Sequence, residues 1–188
     1  MMSDSRLPWQ RLQIEAMTAA SEFISEDMFF LIIGGAALVQ YGSTRDVDIA
    51  ITPQTLNAFW EKAKSDSRFD IQADEHWARG GRRGVEGLSA EFEFLAIGEQ
   101  YVPKLCGLVT KFDPVWTASL ADIAVTKAYA YQDRGEDCDY EDLLFAPGEM
   151  KKAGQKLAQY GIKQSDIATI RSAVKGCEEE GRLSEVME

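Results

Sequence analysis

The chain has 188 residues, 45% of them hydrophobic, and carries 31 acidic residues against 20 lysines and arginines, for a formal net charge of -11. This length suits one domain that buries a core without disulfide or metal staples. The charge works against long nucleic acid, whose binding draws on lysines and arginines set against phosphates, and favours a small molecule or a protein as partner.

Residues 8 to 25 place Leu12, Ile14, Met17, Ala20, Phe23 and Ile24 near helical spacing, which predicts an opening amphipathic helix. FFLII (29–33) reads as a buried strand ended by Gly34-Gly35, and AALVQY as a short helix stopped by Gly42. DVDIAIT (46–52) alternates strictly, with Asp46, Asp48 and Ala50 on one face and Val47, Ile49 and Ile51 on the other. Thr52-Pro53 then caps a helix through LNAFWEKAKSD, whose Phe59 and Trp60 read as core.

FDIQA (69–73) is a third strand candidate, and the Gly/Arg-rich stretch from Arg79 to Gly87, with Arg82 and Arg83, reads as an exposed loop. His76, the sole histidine, reads as a loop residue. LSAEFEFLAI (88–97) again has period two, with Glu91 and Glu93 on one face and Phe92 and Phe94 on the other. Past Pro114 the composition turns helical, with candidates near 117–133, 139–157 and 164–175, and the acidic tail CEEEGRLSEVME reads as a solvated terminus. The expected fold class is α+β. A core with a small mixed sheet spans 1–113, and a C-terminal helical part spans 114–188, packed together as one compact unit.

Cys106, Cys138 and Cys177 are odd in number and form no CxxC pair, so three reduced thiols are expected. No apolar run approaches the roughly 20 residues of a membrane-spanning helix. The start MMSDSRLPWQ lacks the features of a secretory signal, so a cytoplasmic protein with no membrane association is expected.

The chemistry resides in four features in order: an apolar strand, a Gly-Gly turn, a strand with two aspartates two residues apart, and a later strand with glutamates on one face. Asp46 and Asp48 project to the same side, where two like charges repel unless a cation sits between them. Hard divalent ions with oxygen ligands, Mg²⁺ or Mn²⁺, suit such a pair together with substrate phosphates. Gly34 and Gly35 allow close backbone approach to a triphosphate, and Ser43, Thr44 and Arg45 can add hydroxyl and guanidinium contacts. Lys127 fits either a surface lysine whose stem covers apolar atoms or a phosphate ligand.

The run IIGGAALVQYGSTRDVDIAI resembles the signature of the nucleotidyltransferase superfamily, whose fold is the DNA polymerase beta-like one: a Gly-Gly or Gly-Ser turn, a short helix, then Asp-x-Asp. Farther on, LADIAVTKAYAYQDRGEDCDYEDLL is similar to the helical segment of the AbiEii-like toxin group and related small nucleotidyltransferases, with Lys127, Arg134, Asp139 and Asp142 at the matching positions. The resemblance implies a metal-dependent enzyme that transfers a nucleoside monophosphate, AMP from ATP or the equivalent from another triphosphate, to a hydroxyl or amine of a small molecule or protein. It implies that Asp46, Asp48 and Glu93 hold the metal, that Glu93 assists deprotonation of the acceptor, and that Gly34, Gly35 and Lys127 reach the phosphates. Glu91 competes with Glu93, and Glu93 is preferred because Phe94-Leu95 follows it. The alternatives are a non-catalytic relative that binds a nucleotide or a partner, and a biosynthetic enzyme that uses the acidic pocket for non-nucleotide chemistry.

Overall fold

A computed structural model describes residues 14–19, 30–38, 46–74, 77–83, 89–96, 109–112, 115–176 and 180–187. The chain divides into two compact units, Met1–Ile97 with Lys111–Thr117, and Gly98–Thr110 with Ala118–Glu188. Among the described residues no helix is long and apolar enough to cross a membrane.

The strands are β1 (Phe30–Ile33), β2 (Asp46–Ile51), β3 (Phe69–Asp74), β4 (Trp77–Arg83), β5 (Ser89–Ala96), β6 (Val109–Phe112) and β7 (Val115–Ala118). They form one mixed seven-stranded sheet in the order β3-β4-β5-β2-β1-β7-β6. β1 runs antiparallel to β2, while β2 runs parallel to β5 and β1 parallel to β7. β4 lies antiparallel between β3 and β5. The α+β class holds, with a larger sheet than the four strands the sequence predicts.

The first unit's core forms where the apolar halves of alternating strands meet a helix. The opening helix is described as α1 (residues 14–19), with Ala16, Met17 and Ala19 buried. A second short helix, α2 (Gly34–Ala37), follows β1 directly. Helix α3 (Pro53–Ala63) starts as expected: the Thr52 hydroxyl accepts a hydrogen bond from the Thr55 amide at 3.3 Å, and Pro53 takes the first turn, where its missing N–H costs nothing. Phe59 projects from α3 onto the sheet, where its ring lies 5.0 Å from Phe94 and 5.9 Å from Phe69. Val47, Ile49, Ile51 and Phe92 complete this buried face. Trp60, the other expected core aromatic of α3, is only half-buried.

The second unit is a helical assembly of α4 (Leu120–Arg134), α5 (Asp137–Lys152), a 3-10 turn at Leu157–Tyr160, α6 (Gln164–Ala173) and α7 (Glu180–Met187). Ser119 caps α4 with its hydroxyl, accepting from the Asp122 amide at 3.1 Å and donating to the Asp122 carboxylate at 2.9 Å. Gly135, at φ 69°, ends α4 in the left-handed conformation that a side chain would disfavour. Ile123, Leu143, Met150, Leu157, Ile167 and Ile170 fill the interior.

Three expectations are corrected. The stretch read as a loop from Arg79 belongs, through Arg83, to β4, because hydrogen bonding to strands on both sides outweighs its glycines. Val115–Ala118, just past Pro114, is a strand, and the helix expected from 117 begins at Leu120. The tail read as a solvated terminus forms α7 and buries Leu183, Val186 and Met187, an i, i+3, i+4 stripe.

Candidate functional site

β2 and β5 lie side by side and parallel, with Asp46 opposite Glu91, Asp48 opposite Glu93 and Ala50 opposite Leu95. Parallel neighbours are about 4.8 Å apart and side chains alternate, so these residues form a two-column grid on one sheet face. Exposure falls from the first pair to the second: Asp46 and Glu91 are exposed and Asp48 and Glu93 half-buried, while beyond them Ala50 is buried and Leu95 half-buried. Like charges directly opposite one another destabilise a sheet, and the half-buried pair has the least water to screen it.

The glycine corner adjoins the inner pair. Ile33, the last residue of β1, is the register partner of Asp48, and the chain then turns at buried Gly34, whose φ is +61°. A Cβ built on Gly34 would fall 2.0 Å from Asp48 Oδ2 and 2.9 Å from its Cγ. The Asp48 carboxylate therefore occupies the space that any other residue at position 34 would fill. Gly35 follows, partly exposed.

The chemistry of these side chains, rather than a ligand geometry, suits a hard divalent cation. Every candidate atom is a carboxylate oxygen, and there is no thiol or imidazole on the described part of this face to favour a softer metal. The register sets Glu93, not Glu91, opposite Asp48, with Asp46 two residues along the same strand face, and Gly34 lies against the Asp48 carboxylate. Among the described residues these three carboxylates do not form a group whose ligand atoms all lie within 4.8 Å of one another. Ser43, Thr44, Arg45 and His76 lie outside the described residues. Arg79 stands on β4 at the register position opposite Glu93, a juxtaposition that its reading as a loop residue could not supply.

Lys127 belongs to the second unit, on α4. Its ammonium lies 3.1 Å from Asp139 Oδ1 and 2.9 Å from Asp142 Oδ2, both on α5. Burial pulls its pKa down, but the charge and hydrogen bond of Asp142, followed by those of Asp139, outweigh it and hold the pKa above the ordinary 10.5. Arg134 binds the other oxygen of Asp139 at 2.5 Å. Asp139 is 0% exposed, so this carboxylate is taken out of water only because two cations close on it. Its residues were legible in sequence as a lysine, an arginine and Asp-x-x-Asp; their mutual pairing was not, because each pair spans the turn between two helices, from five to fifteen positions apart.

Glu136, Cys138 and Asp139 offer ligand atoms within 4.8 Å of one another. Asp139 already serves Lys127 and Arg134, however, and Cys138 holds its proton, its pKa raised above 9.0 by partial burial, then by Asp139 and by Glu136.

No family model and no curated protein matches the sequence. Among solved structures, an antigenic nucleotidyltransferase-like protein from Paracoccidioides brasiliensis is similar over 94% of this chain and 91% of its own, at 16% identity and a TM-score of 0.60. The antibiotic-resistance factor ANT(2'')-Ia in solution aligns over 87% of this chain and 89% of its own, at 13% identity and a TM-score of 0.48. The neighbours do not single out the AbiEii-like group. The fold assignment rests on the first of them: the chain has a nucleotidyltransferase-like fold.

Proposed function

We propose that the chain is a metal-dependent nucleotidyltransferase that moves a nucleoside monophosphate, AMP from ATP, onto a hydroxyl or amine of a small molecule or protein. The observation that carries this reading is the register of Asp48 against Glu93 with the Asp48 carboxylate seated on Gly34. A sheet gains nothing structurally from a row of like charges, and a cation gives that row a use.

In this proposal Asp46, Asp48 and Glu93 hold Mg²⁺ or Mn²⁺, which when bound neutralises triphosphate charge and eases departure of pyrophosphate. The Gly34–Gly35 turn, Ser43, Thr44 and Arg45 contact the phosphates. The acceptor oxygen or nitrogen forms a bond to the α-phosphorus as the bond from that phosphorus to the bridging oxygen breaks. The electron pair leaves with pyrophosphate, and Glu93 takes the acceptor's proton. The net charge of -11 supports an acceptor other than long nucleic acid.

Titration calorimetry with ATP and Mg²⁺ tests the reading on the wild-type chain, Asp46→Ala and Asp48→Ala. Binding by the wild type that either substitution abolishes is the expected result, and equal binding by all three proteins discards the proposal. Pyrophosphate release across a panel of amine and hydroxyl acceptors separates turnover from binding alone.

A further inference from the structure

Glycine at position 34 invites a simple explanation, that a phosphate needs its bare backbone. The geometry points to another: we infer that Gly34 is a positioning residue for Asp48, and that its missing side chain makes room for the carboxylate of that residue rather than for a ligand. The three atoms nearest that position show why. A Cβ at position 34 would meet Asp48 Oδ2 at 2.0 Å, Cγ at 2.9 Å and Cβ at 3.1 Å. Real Cβ atoms do not approach closer than about 3.0 Å, so the carboxylate must leave if a methyl arrives.

What leaves is the far end of a side chain, and the backbone of β2 is held on both sides, by β1 and by β5. The Asp48 backbone therefore stays in register while its carboxylate swings away from its place opposite Glu93. The left-handed φ of +61° adds a cost of its own for any side chain, but that cost is independent of what stands at position 48. This difference lets the two effects be separated. The inference deepens the proposed function, since it rests on Asp48 being a cation ligand for its functional consequence, though not for its structural one.

The experiment uses the full chain as wild type, Gly34→Ala, Asp48→Ala and the double variant, with two readouts: Mn²⁺ binding without nucleotide, and the urea midpoint of unfolding. Asp48→Ala is expected to weaken Mn²⁺ binding by about tenfold or more, Gly34→Ala by a similar factor, and the double variant no further than Asp48→Ala alone. In unfolding, Gly34→Ala is expected to shift the midpoint more in the wild-type background than in the Asp48→Ala background, where Oδ2 and Cγ are gone. Equal shifts in the two backgrounds, or Mn²⁺ losses that multiply, overturn the inference. If Gly34→Ala alone does not fold, recovery of the fold in the double variant supports the inference and failure of both overturns it. Undiminished Mn²⁺ binding by Asp48→Ala instead sinks the cation role of the proposed function, while the unfolding comparison still decides the seat.

Discussion

Replacing Lys127 by methionine keeps most of the stem and removes the charge that joins α4 to α5. The ammonium is largely buried, Asp139 fully so, and Asp142 is partly exposed. Breaking a buried ion pair from one side costs about 3–5 kcal/mol, because the remaining charge is left without its counter-charge. Here Arg134 still holds one oxygen of Asp139, and Asp142 can turn to water, so the low end applies, about 3 kcal/mol. For a chain of this length each kcal/mol moves the melting temperature by about 2–4 °C, giving a fall of about 6–12 °C. Urea and thermal unfolding followed by circular dichroism measure it. A second substitution, Asp139→Asn, is expected to soften the loss, because the stranded charge goes with it. A loss below about 1 kcal/mol, the worth of an exposed pair, would refute the claim that this network is buried and structural.

The same lysine fixes a pH dependence. Its folded pKa lies above the ordinary 10.5, so its contribution is complete below that pH and is lost as pH rises through the folded value. The stability gap between wild type and Lys127→Met should therefore stay level from about pH 7 to 9 and close at more alkaline pH; a gap that narrows on acidification within that window contradicts the assignment. Ser119→Ala removes both the cap of α4 and a donor to the buried Asp122 carboxylate, and should cost about 1–2 kcal/mol in urea unfolding, with a change under about 0.5 kcal/mol counting against the cap. Cys138 is exposed, yet its pKa is raised, so its alkylation by iodoacetamide should be slow near pH 8 and accelerate with a midpoint above 9.0; a midpoint below that value would show the carboxylates do not act on it.

What could be read from the chain alone follows the range of the forces involved. The Thr52-Pro53 start of α3 and the strict alternation of β2 are local, and both appear at the expected residues. β4 was not legible: Gly80, Gly81 and three arginines carry no strand pattern, and the strand exists because β3 and β5 flank it. The acidic residues of the tail hid the stripe of Leu183, Val186 and Met187 that anchors α7, although its helical spacing was there to find. At the candidate site, Asp46, Asp48 and the two glutamates could be nominated from alternation. Which glutamate faces Asp48 depends on how two strands more than forty residues apart slide into register, and that is written in no local pattern. The seat on Gly34 depends on the same register and on the left-handed turn, so it too required coordinates.

The route of the chain also limits how the molecule can be dissected. After Ile97 it leaves the first unit, and it returns for Lys111–Thr117 before departing again. β7 arrives on that return and lies along β1, with Thr117 beside Ile32. A fragment cut at residue 113 would hold every proposed ligand carboxylate and still be incomplete, because β1 would lose its neighbour on the side away from β2, where Ile32 meets Thr117. Such a bare edge recruits strands from other molecules, so the shortened protein should precipitate or self-associate where the intact one does not.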